Sequence, residues 1–174
     1  LLKERIELLT SENEIPDWVS GYTSGLGHES FRIALAGFIG RFLSKCTVES
    51  ENIAIASGAT AIIELSAWML AEPGDVAVFP APSYPVYKRD INNKAGLERY
   101  DLITHTEINE IEHGPVLTTA HLDMALEDIK GHGKNFKLLI LTSPDNPTGG
   151  IYSKEQLREI ADWCIKKEVH MIVN

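Results

Sequence analysis

Cysteine is scarce in this 174-residue chain: Cys46 and Cys164 stand far apart, with no Cys-x-x-Cys pair. Both fall on expected helices, so they read as buried or half-buried thiols of a reducing compartment rather than a disulfide framework. None of the six histidines stands in a His-x-x-x-His pair, so a metal site gains no support. No apolar run approaches the roughly 20 residues a membrane helix needs, and Leu1 does not open a signal-peptide pattern. The expectation is a soluble, cytoplasmic chain without a membrane partner. Positive charge is also short: 16 Lys and Arg against 25 Asp and Glu leave a net charge of −9, which argues against nucleic acid as a partner. No Gly-x-Gly-x-x-Gly follows the apolar run at Ile53, so a Rossmann-type nucleotide site is the least supported binding mode.

What is present is an alternation of apolar runs and amphipathic stretches in a chain that is 44% hydrophobic. Leu1 to Ser20 carries mixed charge and reads as an arm or short helix. Phe31, Leu35, Phe38, Ile39 and Phe42 recur at helical spacing between His28 and Lys45. Short strands are expected at Ile53–Ser57, Val76–Phe79, around Leu97–Leu102, at Leu138–Leu141 and at the closing Met171–Asn174. Helices are expected from Ala61 to Ala71 with Ile62, Leu65 and Met69 inward, through Asn93, along Leu122–Ile129, and after a Ser153/Gln156 capping box. Thr104 to Thr118 has no sustained period and reads as a surface excursion. This order predicts an α/β chain with a mostly parallel, doubly covered sheet, whose ligands sit beyond the carboxyl ends of the strands.

Three stretches fall at such ends. Gly58-Ala59-Thr60 joins a short apolar run to a helix start, where free backbone N–H groups and the positive helix dipole favour an anion. Thr60 adds a hydroxyl donor. A plain helix start capped by Ser57 or Thr60 is the alternative. Pro80-Ala81-Pro82-Ser83-Tyr84-Pro85 is a stiff loop that fixes Tyr84. Leu138 to Gly150 is an apolar run ending in prolines and glycines, where Pro147 restrains the Asn146 backbone so that its amide keeps one direction. The alternative is a polar residue closing a turn.

Ser57-Gly58-Ala59-Thr60, Pro80 to Pro85 and Ser143-Pro144-Asp145-Asn146-Pro147-Thr148-Gly149, in this order, resemble the large domain of class I/II aminotransferases, the fold-type I pyridoxal 5′-phosphate (PLP) enzymes. Within them, Gly58-Ala59-Thr60, Tyr87-Lys88-Arg89-Asp90 and the long segment before Leu122 look most like the 1-aminocyclopropane-1-carboxylate synthase-like group. The resemblance implies a three-layer α/β/α fold with residues 1–45 as an arm and helix and 46–174 as the first part of the PLP-binding domain. It implies cofactor contacts at Gly58, Ala59 and Thr60 to the phosphate, Tyr84 stacked on the ring, and Asn146 bonded to the phenolic oxygen. Tyr22, opening Tyr-x-x-x-x-Gly, resembles the tyrosine that reaches the phosphate of a partner subunit, which implies a homodimer; the segment is two residues longer than in the synthase group.

The family's Asp-Glu-x-Tyr segment and its Schiff-base lysine would follow Asn174, so no catalytic residue is assigned within residues 1–174. The lysines of Ser44-Lys45 and Ser153-Lys154 read as solvated. The expected activity is amino-group transfer between an amino acid and a 2-oxo acid in the intact protein, with this segment alone inactive. A synthase-like lyase and a non-catalytic binding protein of the same fold remain alternatives. An unpaired edge strand at Met171–Asn174 is expected to promote association.

Overall fold

The protein's structure, a computed structural model, describes residues 3, 4, 7, 21–104 and 116–174, so most of the expected N-terminal arm and of the excursion before Leu122 lies outside the described residues. The chain divides into two compact units, Leu1–Ala56 and Ser57–Asn174. In the first, Lys3, Glu4 and Glu7 are helical, and helix α1 (Glu29–Phe38) continues as a π-helix, Ile39–Ser44, stopped by Lys45 in the left-handed region at φ 55°. The aromatic stripe is not the buried face. Arg32 and Ala36 are buried, while Phe31, Phe38 and Phe42 are exposed and Leu35 and Ile39 half-buried. The physical reason is the Arg32 guanidinium, which donates to the carbonyls of Gly27 (3.1 Å) and Ser50 (2.8 Å) and so turns its own face inward. The π-helical winding after Phe38 then breaks the 3.6-residue period on which the stripe rested.

Two further segments differ from the sequence expectation. Cys46 follows the π-helix instead of lying on a helix, and it is exposed. Ile53–Ser57 is not a strand: a 3-10 turn at Ser50–Asn52 leads into extended backbone whose inter-segment bond is Ile55 N–H to the Leu26 carbonyl (2.9 Å). One such bond makes no ladder.

The second unit is a parallel sheet of β1 (Val76–Ala81), β2 (Glu98–Ile103), β3 (Phe136–Leu141) and β4 (His170–Val173), ordered β2-β1-β3-β4. Apart from Lys137 near the start of β3, both middle strands are apolar on both faces, as a doubly covered parallel sheet requires. Ala77, Phe79, Leu138 and Ile140 pack with α2 (Gly58–Leu70) and α3 (Tyr87–Asn92). Val76, Val78, Leu139 and Leu141 pack with α4 (Thr119–Gly131) and α5 (Lys154–Lys167). Three layers result. The inward face of α2 is set by Ile63 and Ala67, not by Ile62, Leu65 and Met69, which are exposed. Ala67 is fully buried, and so small a side chain lets the helix axis approach the sheet closely. Pro80 is accommodated in β1 because pairing with β3 is confined to Val76–Val78, before the residue that lacks an N–H.

The Ser153/Gln156 capping box forms as the sequence predicts: the Gln156 N–H donates to Ser153 Oγ (3.1 Å) and the Ser153 N–H to Gln156 Oε1 (2.8 Å). A second box, Thr118 with His121, starts α4. Among the described residues no helix is long and apolar enough to cross a membrane, and no cluster of metal-ligating side chains occurs.

Burial holds the Cys164 thiol up at about 11. It therefore stays protonated in the fold above the pH at which an unfolded thiol ionises. Thiol titration of the native chain at mildly alkaline pH should label Cys46 promptly and Cys164 only on unfolding, and stability should fall as pH rises from about 9 toward 11. Equal labelling rates would contradict this packing. Leu139→Ala, at a fully buried position of β3, should lower stability by about 2–5 kcal/mol in urea denaturation.

Candidate functional site

The carboxyl ends of β1, β3 and β4 and the start of α2 carry most of the residues singled out in the sequence. At α2, Gly58 adopts φ +80°, where a side chain is strained although open space surrounds the position. Ser57 is the N-cap residue, yet its side chain makes no capping bond, so the first-turn N–H groups of a 13-residue helix have no side-chain cap. Gly58, Ala59 and Thr60 are exposed. Uncapped donors and the positive end of the dipole thus face outward together. The Thr60 hydroxyl does not cap the helix either: it donates to Asp90 Oδ2 on α3 (3.3 Å).

Tyr84 is held from both sides. Arg99 Nη1 donates to the carbonyls of Tyr84 (3.2 Å) and Pro85 (3.3 Å), and its Nη2 donates to Ser83 Oγ (2.7 Å) while pairing with Asp101 (2.7 Å). A rigid guanidinium on β2 therefore pins the loop after β1. The Tyr84 ring meets Tyr87 edge-on, with centroids 5.5 Å apart and planes at 86°, and Tyr87 stacks on Phe79 at 5.1 Å. Tyr84 stays 38% exposed, so ring surface is left for another partner. The buried Tyr87 hydroxyl accepts from Asn174 Nδ2 (2.6 Å) and shares a hydrogen bond with Thr142 Oγ1 (2.8 Å). Three strand ends are joined through this one phenol.

Asn146 stands in a loop closed by Asp145. The Asp145 carboxylate accepts from the Thr148 hydroxyl (2.6 Å) and N–H (3.3 Å), and the Asp145 N–H donates to the Gly150 carbonyl (2.7 Å). With Asp145 closing the turn, the Asn146 side chain is exposed and makes no hydrogen bond among the described residues. Beneath the loop lies a cavity of about 10 Å³, lined by Pro82, Thr104, Asp145 and Tyr152 among others; it has room for about one water. Burial, and then the Asp145 charge, raise the affinity of the Tyr152 phenol for its proton, so it stays neutral.

Thr60 and Tyr84 are thus tied together through α3, by Asp90 and Tyr87 respectively. Asn146 follows β3 at the same edge of the sheet and makes no hydrogen bond to either among the described residues. Tyr22 belongs to the unit Leu1–Ala56 and is fully exposed. Lys45 and Lys154 are exposed, as their polar surroundings predict. Sequence reasoning missed Asp90, Tyr87 and Arg99 as parts of this edge. A signal existed for the first: Tyr87, Asp90 and Ile91 share one helix face, which puts a carboxylate at a core position.

Tyr87→Phe should keep the ring stack and remove both hydroxyl bonds. A loss of about 1–3 kcal/mol in denaturant unfolding is expected, and an unchanged midpoint would contradict the stitching role.

The sequence profile of aminotransferase class I and II matches residues 7–174. The 1-aminocyclopropane-1-carboxylate synthase 5 of Oryza sativa subsp. japonica is 30% identical over 147 residues, 84% of this chain and 27% of the relative. The 1-aminocyclopropane-1-carboxylate synthase-like protein 1 of Bos taurus is 28% identical over 163 residues, 92% of this chain and 31% of the relative. Among solved structures, N-succinyldiaminopimelate aminotransferase from Mycobacterium tuberculosis superposes with a TM-score of 0.74 at 25% identity, over 95% of this chain and 40% of that one. The chain therefore spans less than half the length of the proteins it matches.

Proposed function

The chain belongs to the class I and II aminotransferase family, and from that premise we propose that its Ser57–Asn174 unit holds the cofactor of an enzyme moving an amino group between an amino acid and a 2-oxo acid. The family is dependent on pyridoxal 5′-phosphate. The observation that carries the proposal is the uncapped, outward-facing start of α2 linked through α3 to a pinned and partly open Tyr84 ring.

These residues fit such a group. The N–H groups of Gly58, Ala59 and Thr60 would hold the phosphate, as helix starts hold anions. Tyr84 would lie against the pyridine ring, and the unengaged Asn146 amide would donate to the phenolic oxygen. When bound, pyridoxal 5′-phosphate supplies an electron-withdrawing ring that stabilises negative charge on the amino acid's α-carbon. The chain's own contribution is placement: Arg99 holds the backbone at Tyr84, Tyr87 packs edge-on against its ring, and Asp145 closes the turn that presents Asn146. The fully exposed Tyr22 is suited to reach a second subunit, which supports a homodimer in the intact protein. A synthase-like lyase using the same site is the second reading, favoured by curated relatives such as the rice synthase at 30% identity.

Equilibrium titration of the 174-residue chain with pyridoxal 5′-phosphate tests the cofactor site. Saturable binding at one site is expected, weakened about tenfold by Tyr84→Ala through lost stacking, and abolished by Gly58→Val, which strains the cup at φ +80°. Binding unchanged in both variants would remove this site from the proposal.

A further inference from the structure

Asp90 is 4% exposed, and its Oδ1 is a buried side-chain atom without a hydrogen-bond partner among the described residues. Its Oδ2 accepts from Thr60 Oγ1. A threonine hydroxyl has one proton to donate, and here that proton goes to a carboxylate, away from the helix start. A buried, half-satisfied carboxylate is costly unless something compensates it. The compensation at hand is the first turn of α2, on which Thr60 sits: the dipole end that favours any anion favours this one.

Two consequences follow for the anion cup. Thr60 brings its backbone N–H to an incoming phosphate but not its hydroxyl proton. The phosphate also shares the positive end of α2 with a fixed negative charge. We propose that Asp90 is a positioning residue of the cup, which commits the Thr60 hydroxyl and moderates how tightly the cup holds a phosphate group; this rests on the cofactor reading above. Affinity for a bare phosphate is kept low, and firm binding then requires the further contacts that Tyr84 and Asn146 offer to a ring. The assignment departs from the sequence expectation, in which Thr60 is a hydroxyl donor to the phosphate.

The test is calorimetric titration of the full 174-residue chain with inorganic phosphate and with pyridoxal 5′-phosphate, using Asp90→Asn, Thr60→Val and Thr60→Ser, each checked for folding by circular dichroism. A like charge beside an ionised group shifts its equilibrium by roughly tenfold or more. Asp90→Asn should therefore bind phosphate about tenfold more tightly than the native chain, and both Thr60 variants should stay within about threefold of it. Thr60→Val removes the hydroxyl that Asp90 Oδ2 accepts from and so examines the commitment of that proton, whereas Thr60→Ser keeps it. Phosphate binding that is unchanged or weaker in Asp90→Asn, or lost by tenfold or more in Thr60→Val but not in Thr60→Ser, overturns the role of Asp90 and leaves the cofactor site standing. Absence of binding for both ligands in the native chain and in every variant overturns the cofactor reading itself.

Discussion

Burial of β1 and β3 on both faces is the constraint from which the site follows. Each strand must be apolar at successive positions, because one set of side chains meets α2 and α3 and the next meets α4 and α5. Polar side chains are then kept to the strand margins, as with the half-buried Lys137 near the start of β3. Polar and conformationally special residues are displaced to the strand ends, where β1 gives way to Tyr84, β3 to Thr142 and Asn146, and β4 to Asn174. Parallel strands point these ends one way. The Tyr87 phenol binds them laterally, with hydrogen bonds to Thr142 and Asn174 and a ring contact to Tyr84.

The helix α3 matters out of proportion to its six residues. It packs into the sheet through Tyr87 and Ile91, and through Asp90 it reaches the first turn of α2. A short helix with two apolar anchors and one buried carboxylate thereby couples the anion-binding start of α2 to the ring-binding loop after β1. Arg99 supports the same loop from β2, with Asp101 keeping the guanidinium in place. The candidate site is assembled by contacts that lie behind it.

Much of this was legible in the sequence. The runs Val76–Phe79 and Leu138–Leu141 announced doubly buried strands, and Ser153 with Gln156 announced the start of α5. Gly58-Ala59-Thr60, Tyr84 and Asn146 announced a polar edge, and the family membership agrees with the resemblance those motifs carry. Other features were illegible for identifiable reasons. Apolar spacing alone cannot tell which of two apolar faces of α2 is inward, and the choice went to Ile63 and Ala67 because a small residue permits close packing. The α1 stripe misled because a buried arginine, bonded to the carbonyls of Gly27 just before the helix and of Ser50 beyond it, set the rotation of the helix. The Ile53 run had strand composition but no partner strand among the described residues. Asp90 was visible as a polar residue on an apolar face, yet its bond to Thr60 spans 30 positions and no local pattern encodes it.

The start of α2 and the face of Tyr84 are proposed to form one ligand site at the carboxyl edge of the sheet. Backbone amide NMR of the 174-residue chain during addition of pyridoxamine 5′-phosphate, which binds without needing a lysine partner, tests it most directly. Saturable shifts of the Gly58, Ala59 and Thr60 amides together with those of Ser83 and Tyr84 are expected. Shifts confined instead to the lysine-bearing groove of Lys130, Lys137 and Lys167 would contradict it.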